Sequence, residues 1–253
     1  MKVNTYTERI FILLVLLAGN LISCSDSSEV APLISNGQGG SLARFAIKDN
    51  IIYVVNNNSL QTIKLINGKM EPVASMELPF GIETIFPYQE YLFIGANDAM
   101  YIYSLDDPEQ PGLLATYQHQ TACDPVVVQN NVAYVSLRAD ACGRVLAENI
   151  VEIIDVSDIN NPRLIYTHND VLSPYGLGIK DDVLFICQSK NGLQLLDVKN
   201  PNQPVVISNL DIYAYDVIIR QNLLILTGDE GIFQFDVSDP KKPEQMSHIA
   251  IDE

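Results

Sequence analysis

Three aspartates recur in one local context, Asp155-Val156, Asp197-Val198 and Asp236-Val237, at separations of 42 and 39 residues. Regularly spaced carboxylates can bind calcium, but calcium takes about six to eight oxygens, and one carboxylate per repeat unit cannot supply them. Each aspartate instead follows an apolar run and opens a polar turn, where its oxygens can accept backbone N–H groups and fix the turn. The expected role is structural, and no metal is expected. Beyond Cys24 the cysteines are Cys123, Cys142 and Cys187, an odd number, with no Cys-x-x-Cys or His–Cys cluster of the kind that holds zinc. Cys187 lies in an apolar run beside Phe185 and reads as a small buried hydrophobe. None of His119, His168 and His248 is paired with a Ser or Cys in a nucleophile motif, so no catalytic residue is assigned.

The elements that must position these groups repeat. Five apolar runs follow polar turns, centred on Tyr53, Phe93, Tyr134, Phe185 and Ile225, at separations of 40, 41, 51 and 40 residues. A second marker, the prolines Pro72, Pro111, Pro162, Pro204 and Pro243, keeps nearly the same spacing, 39, 51, 42 and 39. Both markers give five copies of about forty residues, with about ten extra residues inside the third. The fifth copy divides into four short apolar segments, 215–220, 223–227, 232–236 and 245–251, separated by Gln221-Asn222, Gly228 to Gly231 and Val237 to Pro243. No segment sustains a 3.6-residue period with caps, so helices are not expected. Four strands per forty-residue unit predict an all-β, five-bladed β-propeller of four-stranded antiparallel blades. One blade cannot bury both of its faces, so blades must stack, and closing the ring removes the exposed ends.

The stretches "NVAYVS … VEIIDVSDINNP" and "NLLILTGDEGIFQFDVSDPKKP" resemble the LVIVD repeat, a bacterial family of extracytoplasmic β-propeller repeats. The resemblance spans residues 41–253, strongest in copies three to five and weakest in the first. It implies an architecture and carries over no catalytic motif or ligand. Near the N-terminus, Lys2 and Arg9 precede an apolar run from Ile10 to Ala18, too short to span a bilayer and suited to a secretion signal. The tetrad Leu21-Ile22-Ser23-Cys24 resembles the lipobox of bacterial lipoproteins. That resemblance implies a leader over 1–23 cut before a lipidated Cys24, a tether over 24–40, and a propeller over 41–253. A simple signal peptide with an incidental cysteine is the alternative. The acidic residues just after Cys24 resemble a surface-export signal. The expected location is the cell envelope, lipid-anchored to the outer membrane, periplasmic or surface-exposed.

In the propeller register, the entrances of the innermost strands superpose Arg44, Glu83, Asp124, Tyr175, Tyr215 and Asp216. A purely structural position would carry similar residues in each copy, and these differ. They are the candidate ligand-binding residues, expected at one mouth of the central channel. Cys123, just before the first strand of copy three, and Cys142, in its insertion, emerge on one face of a propeller, and a disulfide between them is expected. Arg138 and Arg144 flank Cys142, either reaching over the same mouth or solvated on the loop.

Composition limits the partners. Fifteen Lys and Arg against 31 Asp and Glu give a formal charge of -16, which a phosphate backbone would repel, so no nucleic acid is expected. Membrane attachment by charge is excluded on the same ground, leaving the N-terminal lipid. The expected function is a non-catalytic binding or interaction module, without cofactor, for another envelope protein or an extracellular polymer. The alternative is a glycan hydrolase using Glu83, Asp124 and Asp216, or a glycan-binding protein. The absence of Trp, the usual platform for sugar rings, argues against it.

Overall fold

The computed structural model describes residues 39–119, 125–139 and 148–251. These form twenty strands in five four-stranded antiparallel sheets, and none of the described residues is helical. Blade 1 holds β1 (Phe45–Lys48), β2 (Ile51–Val55), β3 (Ser59–Ile66) and β4 (Lys69–Glu77). Blade 2 holds β5 (Ile82–Tyr88), β6 (Tyr91–Ala96), β7 (Ala99–Ser104) and β8 (Gly112–Gln118). Blade 3 holds β9 (Val126–Gln129), β10 (Val132–Leu137), β11 (Ile150–Asp155) and β12 (Arg163–His168). Blade 4 holds β13 (Leu177–Lys180), β14 (Val183–Cys187), β15 (Leu193–Asp197) and β16 (Val205–Leu210), and blade 5 holds β17 (Asp216–Arg220), β18 (Leu223–Gly228), β19 (Gly231–Asp236) and β20 (Glu244–Ala250). Each blade is a meander, and the first strand of each lies innermost. The arrangement is a five-bladed β-propeller.

The same devices shape every copy. The hairpin joining first and second strands is a two-residue turn with a residue at positive φ, as at Asp49 (55°), Gln89 (50°), Asp181 (51°) and Gln221 (54°). That geometry matches the right-handed twist of the flanking strands. In all five blades the pairing of third with fourth strand slips by one residue, at Thr62/Ile63, Ile102/Tyr103, Ile153/Ile154, Leu195/Leu196 and Gln234/Phe235. A bulge there adds local twist at the outer edge. The repeated aspartates do the structural work expected of them: Asp155, Asp197 and Asp236 accept the backbone N–H two residues on, from Ser157, Lys199 and Ser238, at 2.9, 3.0 and 2.7 Å. Those bonds, with Lys241 reaching Asp197, hold the three carboxylates below the usual carboxylate range.

Packing follows the blade faces. One buried apolar cluster joins blades 1 and 2 through Tyr53, Leu60, Ile85 and Leu92; a second joins blades 2, 3 and 4; a third joins blades 4 and 5 through Phe185, Leu195, Leu226 and Phe233. The second and third strands of blades 2 to 4 are buried along all or nearly all of their length, as β7 and β14 are. In β19, by contrast, buried Phe233 and Phe235 alternate with exposed Ile232 and half-buried Gln234. Among the described residues no such cluster bridges blade 5 to blade 1. That junction is closed by the chain entering β1: the Leu42 N–H bonds the Asp216 carboxylate, and the Leu177 N–H donates to Ser41 Oγ at 2.5 Å.

Candidate functional site

The entrances of the first strands come together as the register requires, in two groups. Arg44, the residue before β1, reaches Glu83 in β5, with Nη2 3.3 Å from Oε2; both side chains remain partly exposed, 53% and 29%. A pair this wet contributes little stability. On the other side of the mouth, Tyr175 before β13 and Tyr215 before β17 meet edge to face, their ring centroids 5.4 Å apart. Tyr215 in turn meets Tyr213 at 5.2 Å and donates its hydroxyl to the Tyr213 oxygen at 3.2 Å. That hydrogen bond first, then burial and the nearby Asp229, raise the Tyr215 phenol well above its ordinary value and keep it neutral.

Arg138, the residue after β10, lays its guanidinium over the Tyr175 ring, Cζ 3.9 Å from the centroid. Its Nε is buried and has no hydrogen-bond partner. Cation–π stacking of this kind is worth about 0.5–2 kcal/mol. Spacing left open whether Arg138 reaches the mouth or stays solvated, and the structure brings it to the mouth. Tyr175 is held from below: Ser136 Oγ donates to its carbonyl at 2.9 Å, and its own N–H donates to the Cys187 carbonyl at 2.7 Å. The result is a row of Arg138, Tyr175, Tyr215 and Tyr213 running across blades 3, 4 and 5. Asn149 props the base of the Arg138 segment, accepting from the Ala139 N–H at 2.9 Å and donating to the Leu172 carbonyl at 2.7 Å.

Asp216 lies at the same level but points inward. A β-carbon built on Gly40 or on Gly176 would overlap its carboxylate, so the two glycines make a close-fitting cradle of backbone. Oδ1 is buried without a partner. Burial drives its pKa up to about 6 despite the hydrogen bonds from the Val217 and Leu42 N–H groups. Of the six expected mouth residues, then, Arg44 meets Glu83, Tyr175 meets Tyr215, and Asp216 supports the ring from inside. Asp124 lies outside the described residues, as do Cys24, Cys123, Cys142, Arg144, the leader and most of the tether.

Below this mouth the described residues leave little space along the axis. The cavity there measures only about 30 Å³ and is bounded by Gly39, Ser41, Phe86, Val127, Leu177 and Val217, among others. The mouth is therefore a shallow rim, carrying aromatic and ionic groups above a packed floor. Cys187 is buried and free, and its thiol is raised well above its usual value by burial and by Asp216. No group of three or more metal-ligating side chains occurs among the described residues. Tyr213 and buried Glu152 escaped the sequence. Tyr213 is two residues upstream of an entrance position, a signal in hindsight. Glu152 has its pKa raised by burial and pulled back by Tyr117 and His119, across a blade interface that spacing cannot foresee.

No family model matches the chain, and no curated protein matches it. Among solved structures it is similar to a periplasmic gluconolactonase of Pseudomonas aeruginosa, with a TM-score of 0.61 and 11% identity over 80% of this chain and 68% of that one. A functionally unknown protein of Desulfotomaculum acetoxidans gives 0.68 and 10%, over 86% and 72%. A chain of a nidogen/laminin complex gives 0.55 and 16%, over 80% and 76%. At these identities the likeness is one of fold.

Proposed function

We propose that this propeller is a non-catalytic binding module whose entrance rim docks a macromolecule, either another envelope protein or an extracellular polymer. The observation that carries this is the row Arg138, Tyr175, Tyr215 and Tyr213 over a filled axis. Tyr and Arg concentrate binding energy at interfaces: Tyr brings large contact area with only two χ angles to order, and the Arg side chain here is already held by stacking on Tyr175. A cavity of only about 30 Å³ among the described residues favours a partner that lies across the rim. The nidogen/laminin complex is a protein–protein assembly on a similar fold, which is compatible with this use. Against catalysis, Asp216 is enclosed by backbone and Glu83 is paired with Arg44. The lipobox resemblance at Cys24 and the LVIVD-like repeats fit an extracytoplasmic, lipid-anchored setting for such a module.

The test uses the full chain, wild type and Tyr175→Ala/Tyr215→Ala, against a glycan array and, with a photo-crosslinker at position 138, against an envelope fraction. Expected is a partner whose capture falls at least tenfold in the double variant while the thermal unfolding midpoint stays within a few degrees. Capture unchanged by the double substitution overturns the assignment to this rim. Cys24→Ser is expected to abolish incorporation of labelled palmitate, and incorporation that persists in this variant refutes the anchor.

A further inference from the structure

The opposite mouth of the ring, where the first strands end, is built differently. The last residues of those five strands are Lys48, Tyr88, Gln129, Lys180 and Arg220: three cations and no carboxylate, in a chain with 31 acids and 15 bases. Here the axis opens into a cavity of about 410 Å³, whose wall includes Lys48, Phe86, Pro87, Val128, Gln129 and Ile179. That volume lies in the range of small-molecule sites. Phe86 and Ile179 also border the small cavity on the entrance side, so they form the partition between the two.

The polar groups of this cavity are unevenly held. The Lys48 side chain is only 15% exposed, while Glu90, which receives one of its three N–H groups at 2.5 Å, is 69% exposed on a two-residue turn. Lys180, at the same mouth but outside the lining of the cavity, repeats the pattern, 16% exposed and 3.5 Å from an Asp181 that is 68% exposed. In both pairs the ammonium is largely buried, that of Lys48 in the cavity wall, and the carboxylate stands in water, where a screened ion pair costs little to exchange. The Gln129 side chain makes no hydrogen bond among the described residues, although its residue lines the cavity. Phe86, Pro87, Val128 and Ile179 make an apolar part of the wall, beside Tyr88 and Gln89, whose side chains hydrogen-bond each other, with Tyr88 also bonded to Asn131.

We propose that the strand-exit mouth binds a small organic carboxylate with an apolar body: the carboxylate replaces Glu90 at Lys48 Nζ, the Gln129 amide donates a second hydrogen bond, and the body rests on Phe86, Val128 and Ile179. The site is independent of the entrance rim. It does not depend on that rim having a partner.

The test is titration of the isotopically labelled full chain with benzoate, benzyl alcohol and benzylamine at low ionic strength, followed by backbone amide shifts. Benzoate is expected to move the amides of residues 48, 89, 90 and 129 and to bind at least tenfold more tightly than benzyl alcohol. Lys48→Met is expected to weaken benzoate at least tenfold. Glu90→Gln, a substitution on an exposed side chain that leaves the fold unloaded, is expected to tighten it at least threefold. No benzoate shifts at these residues, equal affinity for the alcohol, indifference to both substitutions, or a preference for benzylamine that Glu90→Gln removes would each overturn the proposal.

Discussion

The two mouths of the ring use one set of strands for opposite ends. At the entrance, the connections vary in length and sequence from blade to blade, and the chain leading into β1 packs back over the axis, leaving about 30 Å³. At the exit, every connection between a first and a second strand, the one nearest the axis, is a two-residue hairpin, and about 410 Å³ stays open. Loop variation thus gives a rim of diverse side chains with no depth, and loop uniformity gives depth with little diversity. Function tends to gather on variable loops held by a rigid scaffold. Here the uniform end earns equal interest, because a cavity needs walls that do not move.

Four perturbations break or sharpen this contrast. The largest effect is expected from Phe86→Ala, which removes the partition between the mouths. Phe86 is 3% exposed, and its truncation is expected to cost about 3–5 kcal/mol in chemical denaturation. An apolar probe such as xenon should then occupy the joined space. Next is Asp216→Asn, which touches the entrance scaffold alone. The Asp216 carboxyl titrates at about 6 in the folded chain and at its ordinary 3.8 when unfolded, so folding binds a proton between those values. Its contribution to stability is therefore highest below about pH 4, declines as pH rises toward 6, and is lowest above 6. Asp216→Asn is expected to stabilise the protein at pH 7 by up to about 3 kcal/mol, with the gain vanishing as pH falls toward 4. A difference that is flat with pH in paired denaturation curves would refute this account of Asp216.

Ser136→Ala comes third. It removes the hydrogen bond to the Tyr175 carbonyl, and about 1 kcal/mol of stability should go with it. Shifts in the amides of 138 and 175, with those of 48 and 129 unmoved, would show that the mouths are mechanically separate. The smallest is Gln221→Gly in an exit hairpin. Gln221 sits at φ 54°, and relieving that left-handed conformation is expected to raise stability by about 0.5 kcal/mol, visible as a small rise in Tm.

Much of this architecture is legible in the chain because it is local. Alternation in Ile51–Val55, the two-residue turns and the aspartate-opened turns each depend on a few neighbouring residues, and five repetitions of the apolar run and its turn fix the blade count. First-strand limits are legible almost to the residue in blade 5, where β17 begins at Asp216, one place after the expected Tyr215. Pairings across blades are harder. That Tyr175 meets Tyr215 follows from superposing copies, whereas the Arg138 stacking depends on how far blade 3 leans toward blade 4, and Tyr213 enters only through the crossing of 211–215 over blade 5. Asp216 was placed at the correct level, but its inward turn follows from the two glycines on neighbouring segments, Gly40 and Gly176, whose proximity no spacing encodes. The exit cavity is not legible in the sequence, because its residues differ little in kind from ordinary strand ends.

The junction between blades 5 and 1 has a mechanical consequence. Each blade is made of consecutive residues, so no strand from one end of the chain is stitched into the sheet of the other, and the ring is fastened by a clasp of Gly40, Ser41 and Leu42 on Leu177 and Asp216. Tension applied through residue 39 would load this clasp before any blade, and the ring would part there, peeling open like a bracelet while the sheets stay whole.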